Sequence, residues 1–204
     1  MDDAQVSRML QSGSRQARVD AVRYLVRHNP GLEESTELRK LLAEAFAGDA
    51  ELRSEGMALV LTVPHDEFIG LYRSMMTSQD PEDRQAALQA ADPWLHGGAM
   101  AKSELRALIE SALGQDDPWT RFLAAAQLAR LCDGGRIAWS AAADAIVAAE
   151  TSPTPWWRTI RSQAEEFLRP WSESYQPLNE ELVRRGAAPL EQPKAQPAGG
   201  VPRQ

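Results

Sequence analysis

The sequence predicts an all-α chain in which about five antiparallel helix pairs stack into an α-solenoid. The first observation is an internal repeat. Gln79–Leu95, QDPEDRQAALQAADPWL, returns at Gln115–Leu131 as QDDPWTRFLAAAQLARL. Each copy opens on an acidic-Pro turn, places an Arg three residues after the Pro, and runs into an Ala-rich apolar stretch. Pro81, Arg84 and Ala87 correspond to Pro118, Arg121 and Ala124, a shift of 37 residues. A period in the thirties is the mark of stacked helical repeats, because one helix pair cannot bury its own apolar face. The second observation is that Arg recurs where each second helix begins, at Arg18, Arg53, Arg84, Arg121 and Arg158, with spacings of 35, 31, 37 and 37. The third is composition: Ala, Leu, Arg, Glu and Gln dominate, β-branched residues are sparse, and no segment alternates as a strand does.

In chain order, AQVSRMLQ (4–11) makes a short first helix that Ser12-Gly13-Ser14 breaks. Arg15–Arg27 follows, with Val19, Val22, Leu25 and Val26 on one side, and Asn29-Pro30-Gly31 stops it. Ser35 or Thr36 caps the next helix, with Glu37 in its first turn and an apolar stripe of Leu38, Leu41, Leu42 and Phe46. A helix around Arg53 carries Met57, Val60 and Leu61 and ends at Val63-Pro64; Asp66 caps one that holds Phe68, Ile69, Tyr72, Met75 and Met76. The first motif helix over Asp80–Leu95 closes at His96-Gly97-Gly98. Ser103 then caps a helix with Leu105, Leu108, Ile109 and Leu113, and the second motif helix closes at Asp133-Gly134-Gly135. Ile137–Glu150 is the next helix, and Thr154-Pro155-Trp156-Trp157-Arg158 leads into a helix that ends near Leu168, before Pro170. The small residues Ala21, Gly56, Ala87 and Ala124, three after each Arg, let neighbouring helices approach closely; Arg161 takes that place in the fifth repeat.

These elements divide the chain into a repeat domain, 1–171, and a Pro-rich C-terminal tail, 172–204. Five prolines fall within 176–204, and only Leu178, Leu182, Val183 and Leu190 offer apolar anchors. LNEELVRRG (178–186) forms one short helix, and the chain beyond Gly186 is flexible or extended.

At the repeat motifs the chain resembles the HEAT-repeat superfamily, in particular its short bacterial repeats. The resemblance is good at 79–95 and 115–131, fair at 12–28 and 48–62, partial at 153–169, and covers about residues 4–170. It implies a curved, right-handed stack whose second helices line the concave side. It also implies a structural role for the recurrent Arg, which in that family binds turn acids or carbonyls of adjacent repeats. That role carries to Arg53, Arg84 and Arg121, with Arg18 and Arg158 completing the ladder.

Charge narrows the partners. The net charge is −7, with an excess of acid on the helical body, since the tail from Ser172 is balanced. An acidic surface disfavours the phosphate backbone and suits a basic protein partner. MDDAQVSRML holds no long apolar run, so no signal peptide or membrane span is expected there, and the reading is cytoplasmic. Cys132 is the single cysteine, which rules out an intramolecular disulfide and a multi-Cys zinc site.

Catalytic motifs are missing. There is no GxSxG, no P-loop and no GxGxxG. His65 and His96 each stand twelve residues after a repeat Arg, an arrangement that places them along one edge, yet each follows a helix end where the dipole favours His. No metal and no cofactor is expected. Asp116-Asp117, Glu33-Glu34 and Glu165-Glu166 are neighbours that diverge by about 100° on a helix and read as solvated faces.

The expected function is therefore non-enzymatic binding of another protein, as an adaptor or assembly factor or as a small acidic inhibitor such as an immunity protein. Candidate contacts are Asp20, Arg23, Tyr24 and Arg27 on the helix of Arg18, Glu55 and Gln89 on those of Arg53 and Arg84, and Gln127 and Arg130 on that of Arg121. Trp94 and Trp157 are added as aromatic anchors of the kind that dominate interfaces. Trp119 and Trp156, both directly after Pro, read as repeat packing. The alternative is an alkylpurine DNA glycosylase of the HEAT-like class, whose residue types occur near Asp116–Arg121 without the basic stripe that gripping phosphates requires.

Overall fold

The fold is known from a computed structural model, which describes residues 2–28, 32, 35–152 and 156–192, apart from the side chains at 3, 47, 48, 50, 51, 53, 54, 58 and 156–159. The described chain is all-α and holds no strand. It divides into two compact units, Met1–Gly114 and Gln115–Gln204, so the division falls immediately before the second motif. No helix among the described residues is long and apolar enough to cross a membrane.

The first unit contains α1 (Asp3–Leu10), α2 (Arg15–His28), α3 (Thr36–Gly48), α4 (Ala50–Thr62), a 3-10 turn (Asp66–Phe68), α5 (Ile69–Met76), α6 (Pro81–Gln89), α7 (Ala91–His96) and α8 (Lys102–Ala112). The helices begin where short polar side chains take up the orphan amides of a first turn. Asp2 accepts from Gln5 N at 2.7 Å, Ser35 from Leu38 N at 3.2 Å, and Asp80 from Glu82 N at 2.9 Å. Two expected caps are absent: Asp66 opens the 3-10 turn without capping it, and Ala101 occupies the cap position of α8 in place of Ser103.

Several elements pack on the one two or three places further along the chain. α1 lies on α3, α3 on α5, and α5 on α8; α2 lies on α4, and α4 on α7. Within pairs, α1 meets α2, α3 meets α4, and α5 meets α6. The core so formed includes Val22, Leu25, Leu42, Phe46, Val60, Phe68, Tyr72, Leu105 and Ile109, all buried. Small residues mark the closest approach. Ala21, Gly56 and Ala87 are all buried, and a Cβ built on Gly56 falls 2.0 Å from Phe46 Cζ.

The motif over Asp80–Leu95 is not one helix. It breaks at Ala90 (φ −88°, ψ 5°) into α6 and α7. Pro93 is the cause: it lacks an amide hydrogen, and its ring excludes the carbonyl four residues back, that of Gln89. The break turns Trp94 into the core, where it is fully buried, stacks on Tyr72 with centroids 4.3 Å apart, and donates from Nε1 to Val60 O at 3.2 Å.

The second unit contains α9 (Pro118–Leu131), α10 (Gly135–Thr151), α11 (Trp156–Leu168), a 3-10 turn (Ser172–Ser174) and α12 (Tyr175–Arg184). α10 is its centre and packs on α9, α11 and α12. α9 is buried on nearly every side, from Trp119 and Thr120 through Leu128, because its small Ala side chains admit neighbours all round. The turn to α10 is tight: Asp133 takes a left-handed φ of 55°, and at Gly134 an added Cβ would lie 2.9 Å from Leu128 O.

Composition marks 172–204 as a tail, yet its described part is built into this unit. Tyr175, Leu178 and Leu182 are fully buried and Leu190 is nearly so, whereas Val183 is 59% exposed. Helix α12 begins three residues earlier than expected because Tyr175 joins the core, its hydroxyl donating to Glu165 O at 2.6 Å. Residues 187–192 continue without helix or strand. Pro193, Pro197 and Pro202 lie outside the described residues.

Candidate partner-binding surface

Two of the ladder arginines anchor turns. Arg18 Nη1 donates to Ser12 O at 2.8 Å, and Arg84, itself buried, donates from Nη1 to Ser78 O. Both reach the carbonyl six residues earlier, in their own turn and not in an adjacent repeat. Arg121 is half-buried; its Nε, like that of Arg84, is buried without a hydrogen-bond partner. The side chains of Arg53 and Arg158 lie outside the described residues.

Four ion pairs in the first unit join residues about thirty positions apart. Arg15 meets Asp49 at 3.3 Å, Arg23 meets Glu55, Arg39 meets Glu67 at 2.9 Å, and Arg73 meets Glu104 at 2.6 Å, at separations of 34, 32, 28 and 31 residues. In each the Arg precedes the acid. Arg39 is the buried member. It also donates to Leu32 O at 2.8 Å and Thr36 Oγ1 at 3.0 Å, and its hydrogen bond holds the Glu67 carboxyl below its usual range. This pair was missed from sequence because neither residue falls in the repeat motif. It borders a polar cavity of about 350 Å³ that His65, Asp66, Gly97, Gly98 and Ala99 also line.

Of the candidate contacts, Asp20, Arg23, Tyr24, Arg27 and Glu55 gather on α2 and α4. Arg23 lays its guanidinium fork on Glu55, Nε to Oε2 at 3.0 Å and Nη2 to Oε1 at 2.5 Å, and this lowers the Glu55 pKa. Gln16 donates to Asp20 at 2.9 Å, Tyr24 lies 4.7 Å from the His28 ring, and Arg27 is exposed. Gln89, on α6, is exposed. The result on α2 and α4 is a polar face on which Arg23 and Glu55 are already paired.

Three candidates are not open surface residues. Trp94 is a core residue, for the reason given by Pro93, and presents nothing to a partner. Gln127 is fully buried because α9 has no outer side; its Oε1 accepts from Arg130 Nη1 at 2.8 Å. Arg130, in the second unit, is half-buried with its guanidinium 3.3 Å above the centroid of Trp171. The Trp157 side chain lies outside the described residues.

The residues that suggested a DNA-repair site are occupied in packing. Asp117 caps α9 through Thr120 N at 2.6 Å, and Trp119 stacks on Phe122 with centroids 5.1 Å apart, edge-on to Phe167. His96 turns Nδ1 toward Asp92 O at 3.0 Å. Among the described residues no group of three His, Cys, Asp or Glu could hold a metal ion.

A charge network that no motif announces fastens α12 to α10. Glu181, buried, meets Arg136 at 3.0 Å, Arg185 at 2.8 Å and Arg184 at 2.5 Å. Arg185 also reaches Asp144 at 2.6 Å and Ser140 Oγ at 2.6 Å. Hydrogen bonds from Arg185 and Arg136 hold the Glu181 carboxyl down to about 2, against the opposing effect of burial.

No protein-family model matches this chain, and neither a curated protein nor a solved structure matches it.

Proposed function

We propose that the chain is a right-handed, HEAT-like α-solenoid of about five helix pairs that works without catalysis, binding another protein as an adaptor or as a small inhibitor. The observation that carries this reading is the ladder of four Arg-to-acid pairs at separations of 28 to 34 residues, close to the repeat period read from the sequence. The recurrence of a buried small residue three positions after Arg18, Arg84 and Arg121 supports it. A stack fastened in this way presents a preformed surface, so that association costs little ordering of the backbone.

The face on α2 and α4 is the proposed contact, and a basic protein the preferred partner. The first unit carries 18 Asp and Glu against 12 Lys and Arg, whereas the second is nearly balanced at 11 against 10. Acid excess speeds encounter with a basic surface through the long-range field.

The test is affinity capture from a lysate of the native host after nuclease treatment, with the unaltered chain and with a Tyr24→Ala, Arg27→Glu double variant side by side. Arg27 is exposed and Tyr24 half-buried, so helical circular dichroism of the double variant is checked first to show that the fold is retained. One protein recovered in near-equal amount with the first and lost with the second is the expected result. Recovery that disappears with nuclease, or that the double variant leaves unchanged, defeats the proposal.

A further inference from the structure

Residues Ala187–Glu191 cross the second unit as an extended segment held in an unusual way. They pair with no strand, and the side chains around them bind mostly main-chain atoms. Asn179 donates from Nδ2 to Leu190 O at 3.1 Å and accepts from Leu190 N at Oδ1, 2.7 Å, gripping one residue's backbone in both directions. Glu165 Oε1 accepts from Glu191 N at 3.0 Å, and Arg161 Nη1 donates to Ala188 O at 2.9 Å. A carboxamide offers one acceptor and two donors, which matches the N–H and C=O of a single extended residue.

Only one side chain of the segment is read. Leu190 is 3% exposed, while Ala188, Pro189 and Glu191 are exposed. Open grooves flank the segment: one of about 750 Å³ bordered by Glu150, Arg161, Ser162 and Glu165, and one of about 740 Å³ along α12 bordered by Gln176, Glu180 and the exposed Val183. The segment leaves α12 at Gly186, whose φ of +73° ends the helix in a Schellman cap, Gly186 N donating to Val183 O at 2.9 Å and Ala187 N to Leu182 O at 3.0 Å.

We propose that this site between α11 and α12 is a receptor for an extended, leucine-bearing peptide of a partner protein, occupied in cis by Ala187–Glu191 as a displaceable plug. Recognition through main-chain atoms plus one apolar pocket is indifferent to most of the peptide's sequence, and it sets one requirement, a leucine at the Asn179 clamp. The inference concerns the second unit and stands apart from the repeat-stack reading.

The test uses a fluorescein-labelled peptide with the sequence of Ala187–Gln192, titrated by fluorescence anisotropy. A Leu190→Asp chain, with the plug released, binds it saturably. The unaltered chain binds it about tenfold more weakly or worse, because the open form is a minor population that divides the apparent affinity. Adding Asn179→Ala to the released chain abolishes binding, and a peptide with Ala at the leucine position does not compete. Equal binding by released and unaltered chains, or no binding by a released chain that keeps its helical circular dichroism, overturns the proposal. Should the released chain fail to fold, amide exchange on the unaltered chain decides. Excess peptide must speed exchange at Leu190 and Glu191 while leaving Leu182 in α12 unchanged; no acceleration at Leu190 rejects the site.

Discussion

Gly56→Ala sets two well-defined effects against each other. In the middle of α4, replacing Gly by Ala gains about 1 kcal/mol of helix propensity. Against this, the new Cβ would lie 2.0 Å from Phe46 Cζ and 2.3 Å from Cε1, well inside contact distance, and the Phe46 ring is fully buried. Forcing an extra methyl into a filled core costs about 1–3 kcal/mol, and a ring wholly enclosed by protein is placed at the upper end. The net expectation is a loss of about 2 kcal/mol, read as a fall of about 5–10 °C in the Tm of the first unit. Urea and thermal unfolding, followed by far-UV circular dichroism, measure it directly. A Phe46→Leu partner substitution should soften the penalty, so the double mutant loses less than the sum of the two singles. A rise in stability of about 1 kcal/mol for Gly56→Ala alone would refute the claim that this position is small for packing reasons.

Two further outcomes follow from named contacts. Trp94→Ala removes a fully buried indole that stacks on Tyr72 and bonds Val60, and is expected to cost about 3–5 kcal/mol of stability; an unchanged urea midpoint would return Trp94 to the surface. Glu181, held to about 2 from an ordinary 4.5, binds fewer protons when folded. Its contribution is therefore complete above about pH 5 and lost as pH falls toward 2. Thermal melts from pH 7 to pH 2.5 should show part of the acid-induced fall in Tm missing in Glu181→Gln, and identical slopes would count against the network.

How far the sequence was legible depends on whether a feature is local. Helix positions were readable because caps, prolines and apolar spacing act within a few residues; α9 begins at Pro118 and ends at Leu131, as the motif indicates. The all-α class came with them. What failed was phase and depth. Gln127 looked solvent-facing on a helix with one apolar face, but α9 is covered on nearly all sides, a fact set by its neighbours and not by its own pattern. Trp94 looked like an anchor because the helix was drawn straight through Pro93, although that proline itself foretold the break. The tail was legible in part. The short helix over 178–186 and the anchors Leu178, Leu182 and Leu190 were readable from spacing, whereas the burial of Tyr175 and the exposure of Val183 were not, because both depend on how α12 packs. Asn179 gave no sign, since its partner Leu190 lies 11 residues away; Glu181 has Arg184 and Arg185 at helical spacing, but its burial and its pairing with Arg136, 45 residues away, depend on helix packing.

The alanine-lined burial of α9 also bears on the order of folding. Ala gives up no rotamer freedom when it is enclosed, and it is the strongest helix former, so α9 can be enclosed at small entropic cost. α10 follows after a short turn, so their contacts close a small loop early. The α9–α10 hairpin is thus expected to be the first part of the second unit to form and the slowest to exchange its amide hydrogens. The segment beyond Gly186, fastened last and by few atoms, is expected to be the first to open. The unit would then breathe from its C-terminal edge while its centre stays closed, and that gradient of opening is what an exchangeable plug requires.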